Sequence, residues 1–255
     1  DLCAKRPKPS DSDLPRGSLS DALSPLAAAA LKDGACALLK DYSALATRII
    51  QQHVTSTRCV VKLGSESITM RATGPSSADA HHGLIVPSGI ELLIQGEGDE
   101  ASTLDAGGFA RHFLVVGGGK LTLAALRLTG GRSLLSGGGS VLLLPGSRLE
   151  ATDVMFMRNR AIIGSGGAIA ARGATVVLAR VTMQANEASW RGGALSLVSL
   201  GDRDDDAGGH ATAQLGQVEW LSNAAGRGAD DASLSGGAEL IPPPLSTEAS
   251  VEATA

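Results

Sequence analysis

Residues 121–131 read LTLAALRLTGG, and 149–159 read LEATDVMFMRN. Residues 176–186 read VVLARVTMQAN, and 213–223 read AQLGQVEWLSN. Laid one above the other, four positions stay apolar in all four copies. Leu121, Leu123, Leu126 and Leu128 head columns that continue through Leu149, Ala151, Val154 and Phe156, then Val176, Leu178, Val181 and Met183, then Ala213, Leu215, Val218 and Trp220. A fifth column holds Gly131, Asn159, Asn186 and Asn223. Self-similarity at a near-constant period is the mark of a stacked repeat, since one copy cannot bury its apolar face alone.

Within a copy, two alternating apolar pairs are separated by two residues. Alternation puts both members of a pair on one face of a strand. The interruption lets the chain bend and aim the next pair inward again. The Asn/Gly column reads as a sharp corner, because both residues tolerate the left-handed backbone conformation. Stacked Asn side chains can also bond from layer to layer. A second column pairs Gly166-Gly167-Ala168-Ile169 with Gly192-Gly193-Ala194-Leu195. It recurs more loosely at Gly138–Val141 and at Gly236–Leu240. A third turn column runs Gly118, Gly146, Gly173. Three strands and three corners per copy predict an all-β fold, a right-handed single-stranded parallel β-helix. A propeller blade would need about 40–45 residues.

Outside the repeat, residues 1–18 are rich in Pro, Ser and Asp and read as a disordered leader. Residues 19–57 read as a helical cap. Ser24-Pro25 starts a short helix, and Leu38, Tyr42, Leu45 and Ile49 fall at helical spacing. Short strands are expected over 59–63, 67–72, 84–86 and 90–95, so the β-helix spans 58–240. Residues 241–255 open on prolines and read as a linker or tail. Two insertions break the period, Gly201–Gly209 and Ala224–Ser235.

The Phe156-Met157-Arg158-Asn159 motif, together with the Gly-Gly-Ala-apolar motifs at 166–169 and 192–195, resembles the repeats of polymorphic outer membrane proteins and related β-helices of the pectin-lyase-like superfamily. The likeness covers about residues 85–240. Met183 and Trp220 stand where Phe would be, and Gly131 where Asn would be. The resemblance implies an adhesin-like role at an extracellular or cell-surface location.

Composition agrees with thin stacked layers. Aromatics are 2% and apolar residues 43%, so Leu, Val, Ile and Ala must fill the core, and 33 glycines supply turns. The net charge of −4 and the lack of a basic run argue against nucleic acid. No apolar run is long enough to span a bilayer. Cys3, Cys36 and Cys59 form an odd set with no metal-ligand spacing; they read as free thiols, with a Cys36–Cys59 bridge as the alternative.

The best candidate site is the acidic loop. Asp202, Asp204 and Asp206 alternate, so an extended loop would aim them together at a hard cation, and calcium is the one cofactor the sequence leaves open. The competing reading is a solvated acidic loop. Catalysis on a polysaccharide would need carboxylates gathered on one face, and would fall to Asp204, Asp205 and His210. Asp153 aligns with Ala125 and Arg180, and Arg132, Arg160 and Glu187 share a column, so no acidic stripe forms. His81-His82 reads as surface, and Gly117-Gly118-Gly119-Lys120 as a turn lacking the phosphate-loop spacing. The expected function is a non-catalytic surface module binding a glycan or protein, within a larger secreted or surface protein. The alternative is a carbohydrate-active enzyme.

Overall fold

The computed structural model describes residues 58–64, 67–69, 83–97, 101–200 and 209–241. Among them all regular elements are β-strands, and the strands pair in parallel. Three sheets result. The first has nine strands and contains the four long repeats, Lys120–Thr129, Arg148–Met157, Thr175–Gln184 and Thr212–Leu221. The second stacks the two-residue strands Arg132–Ser133, Arg160–Ala161, Glu187–Ala188 and Ala224–Ala225. The third runs from Leu84–Val86 through Phe113–Val115, Val141–Leu143, Ile169–Arg172 and Leu195–Val198 to Ala232–Ser235. The chain thus visits each sheet once per repeat and returns one layer further on. Stacked parallel sheets of this kind are compatible with a parallel β-helix, each circuit forming one coil.

The register is the one the repeat dictates. Leu121, Leu149, Val176 and Ala213 are successive partners, as are Leu128, Phe156, Met183 and Trp220. All but Trp220, which is half-buried in the last of the four coils, lie in the core. Each long strand bends at Ala125, Asp153, Arg180 or Gln217, where φ is +52° to +55°. That left-handed residue is the second of the two interrupting residues. It turns the following apolar pair back toward the interior.

Of the two reasons expected for the Asn column, the layer-to-layer bonding holds and the left-handed backbone does not. The left-handed residue at that corner is the preceding one, Gly130, Arg158, Ala185 or Ser222. Asn159, Asn186 and Asn223 are buried and held by their side chains. Asn159 Oδ1 accepts from the Gly131 N–H at 2.9 Å, Asn186 Oδ1 from the Asn159 N–H at 3.1 Å, and Asn223 Oδ1 from the Asn186 N–H at 3.0 Å. Their amide groups donate to Leu128, Phe156 and Met183 carbonyls. Gly131 interrupts the ladder for a steric reason. A Cβ there would sit 2.9 Å from His112 Nδ1 and 2.4 Å from the Gly139 carbonyl.

The Gly-Gly pair splits its duties. Gly166 takes φ +71°. At Gly167 a Cβ would fall 2.0 Å from the carbonyl oxygen of Gly193 in the next coil. Gly192 and Gly193 repeat this, with Gly193 against the Asp230 carbonyl. That last contact corrects the sequence alignment. The partner of Gly192-Gly193-Ala194 is Ala229-Asp230-Asp231, not Gly236-Gly237-Ala238. Gly236 instead follows the third-sheet strand, as Gly173 does. Residues 224–235 are therefore no insertion: 224–225 and 232–235 are regular strands. Two turn types that both use glycine cannot be told apart by residue identity alone.

The strand expected over 67–72 is described only over Ser67–Thr69. The leader, the helical cap, the tail beyond 241, Cys3, Cys36 and hence the Cys36–Cys59 pairing lie outside the described residues.

Candidate functional site

The chain leaves the second sheet and folds back over the outer face of the third. Val141, Leu143, Ile169, Ala171, Leu195 and Leu197 point into the core, so Leu142, Ala170 and Ser196 between them point away. They are nonetheless buried, because the connections at 134–140, 162–168 and 189–194 lie across them. These connections form a ridge. Three residues beyond the Arg132, Arg160, Glu187 and Ala224 register stand Leu135, Ile163, Trp190 and Arg227. Leu135, Ile163 and Trp190 are 65%, 49% and 48% exposed, so an apolar column faces solvent. The ridge is tied coil to coil by Ile163 N–H to the Leu134 carbonyl at 3.1 Å, Trp190 N–H to Gly164 at 3.0 Å, and Arg227 N–H to Trp190 at 2.6 Å.

Between ridge and sheet lies a groove of about 380 Å³. Ser165, Trp190, Arg191 and Arg227 form its ridge side, and Ser196, Val198, Ser233 and Ser235 its sheet side. The groove lies where the long Arg172 side chain gives way to Val198 and then Ser235 in the same column. In earlier coils this face carries Leu142 and Ala170, and the Arg172 side chain reaches over to the Ser136 carbonyl at 3.0 Å. Neither Arg191 nor Arg227 is paired with a carboxylate among the described residues. The stem of Arg191 lies against Gly228, where a Cβ would come within 3.3 Å of its Cγ. The groove is thus lined by one tryptophan, two arginines, four serines and a valine, with no carboxylate or imidazole in its lining.

The residues singled out in the sequence lie elsewhere. Asp202, Asp204, Asp205 and Asp206 fall outside the described residues, as do His81 and His82. His210 is exposed on the approach to the last long strand. Among the described residues no group of three metal-ligating side chains comes together, and no helix is long and apolar enough to cross a membrane. Asp153 and Arg180 meet as a two-pronged ion pair at 2.6 and 2.7 Å, on adjacent coils at the bend. Each moves the other's pKa, the carboxyl down and the guanidinium up, chiefly through that hydrogen bond. Arg160 and Glu187 pair at 3.1 Å. Gly117–Gly119 is a turn, with Gly118 at φ +77°, and Lys120 pairs with Glu150 at 3.0 Å.

Sequence reasoning missed both the groove and two buried ionisable residues, Arg111 and His112. The groove had one signal: extending the Arg132–Arg160–Glu187 column by three residues meets three large apolar side chains in a row. His112 is fully buried between Leu104 O, 3.0 Å from Nε2, and Ser140 Oγ, 3.0 Å from Nδ1. A carbonyl only accepts, so Nε2 carries the proton and Nδ1 accepts from the serine. Burial pushes the ring's pKa down to about 4, so it is neutral at pH 7. The chain matches no protein-family model, no curated protein and no solved structure.

Proposed function

We propose that this chain is a non-catalytic, adhesin-like β-helix module of a larger secreted or cell-surface protein, and that it holds its ligand in the groove at Trp190. The fold in this reading is right-handed, the hand that twisted parallel strands favour, with residues 19–57 as a helical cap. The observation that carries the reading is the lining of the groove. A half-exposed indole beside two guanidinium groups and a row of serine hydroxyls is a recognition surface. An aromatic face takes the apolar side of a sugar ring, and hydroxyls and guanidinium groups take its polar rim. A glycan therefore fits better than a flat protein surface. The extracellular placement rests on the motif resemblance alone. The alternative, a carbohydrate-active enzyme, needs an acid and a base on the same face, which the lining does not supply.

A glycan array followed by titration of the hits tests this. The wild-type chain should bind, and Trp190→Ala and Arg227→Ala should each weaken binding at least about tenfold, the cost of one anchor. Their melting curves should be unchanged, since both side chains face solvent. Equal binding by wild type and both variants would overturn the reading, as would release of new sugar ends from a bound glycan.

A further inference from the structure

Arg111 is a buried cation with no counter-ion among the described residues. Its side chain is 2% exposed, at the register position of Arg132 one coil earlier. In its own coil His112 passes directly into the third-sheet strand Phe113–Val115, with no ridge connection between. Arg111 fills the space beneath the first ridge connection instead. Its Nη2 donates to Ser133 Oγ at 2.9 Å and lies 3.3 Å from the Leu135 carbonyl and 3.4 Å from Ser136 Oγ. Its Nε and Nη1 have no partner. They are the only buried side-chain nitrogen or oxygen atoms in that state among the described residues.

A second guanidinium, that of the exposed Arg172, comes to the same serine as Arg111 Nη2. Arg172 Nη2 donates to the Ser136 carbonyl at 3.0 Å, so two cations meet at one serine. No carboxylate pairs with either among the described residues. Burial, and then the repulsion of Arg172, depress the Arg111 pKa only to about 10, so the group stays charged at neutral pH. An isolated buried ion costs more than its few hydrogen bonds return. Water could satisfy the three idle N–H bonds of Arg111 but not its charge.

We propose that Arg111 and Arg172 together bind a small inorganic anion, chloride, beneath the 134–138 ridge connection. The idle nitrogens are out of contact with solvent, so the ligand must enter stripped of its hydration and occupy little room. A single-atom, singly charged anion meets both conditions better than sulfate or phosphate. The site is independent of the groove and of any ligand held there.

Thermal melts of the 255-residue chain in sodium chloride and in sodium gluconate of equal ionic strength test the assignment. Chloride at ten to a hundred times its dissociation constant should raise Tm by about 3–10 °C over gluconate. Arg111→Met and Arg172→Met should lose that difference, and Arg132→Met, on the exposed face, should keep it. Should Arg111→Met fail to fold, crystals soaked in bromide provide the second measurement: an anomalous peak within hydrogen-bond reach of Arg111 Nε or Nη1. Equal Tm in the two salts, a chloride effect that survives in Arg172→Met, stronger stabilisation by sulfate, or a bromide-soaked crystal without that peak would each overturn it.

Discussion

Replacing Asn186 by alanine should be among the costliest polar substitutions in the chain. The side chain is 1% exposed and takes part in four hydrogen bonds. Its Oδ1 accepts from the backbone N–H of Asn159 at 3.1 Å and from Asn159 Nδ2 at 3.0 Å. Its Nδ2 donates to the Phe156 carbonyl and to Asn223 Oδ1, both at 3.0 Å. Truncation leaves the buried Asn159 N–H with no acceptor, about 1–3 kcal/mol by itself. The other three bonds involve groups that keep a second partner or a spare lone pair, and together add about 1–2 kcal/mol. The expected loss is about 3–5 kcal/mol in urea denaturation at pH 7, with m unchanged. Asn186→Asp separates the hydrogen bonds from the shape. It keeps the acceptor, loses the donors and buries a charge, so at pH 7 it should be at least as damaging as alanine. A carboxyl disfavoured as an anion has a folded pKa above its unfolded value. The damage, relative to wild type at the same pH, should therefore shrink as pH falls from 7 toward 4, where the neutral acid can donate. A loss below about 1 kcal/mol for Asn186→Ala, or an Asp variant whose deficit is the same at pH 4 and pH 7, would refute the ladder as a source of stability.

Three further outcomes are expected. Gly167→Ala should cost about 2–4 kcal/mol, because its Cβ meets a backbone carbonyl at 2.0 Å, whereas Gly89→Ala, at φ +75° with nothing near it, should cost only about 1–2; chemical melts of the pair decide whether close approach outweighs backbone conformation. His112 should make the protein acid-sensitive: its ring is neutral in the fold with a pKa of about 4 against 6.5, so its contribution is intact above pH 6.5 and falls by about 1.4 kcal/mol per pH unit to a loss of about 3 by pH 4. An equal pH slope in His112→Gln would sink that account. Phe156→Ala should cost about 3–5 kcal/mol and Trp220→Ala less, since Phe156 is fully buried and Trp220 is half-buried in the last of the long strands; equal losses would show that the column is not graded by burial.

The repeat alone determined the sheet register. Spacings of 28 and 27 residues between Leu121, Leu149 and Val176 could be satisfied in only one way once each apolar pair had to face a shared core, and the pairing follows it residue by residue. Residue type also located some of the turns, because backbone packed against backbone, as at Gly167 and Gly193, admits only glycine. It could not say which turn a glycine served, as at Gly236, or which residue of the Asn corner takes the left-handed backbone. Alanine, arginine and serine carry the left-handed corner there, while the asparagines are selected by acceptors and donors one coil away. The groove at Trp190 and the buried charge of Arg111 are properties of stacking. Whether an outward side chain meets water, a ridge or another cation depends on what the neighbouring coils place over it, and no spacing within one coil records that.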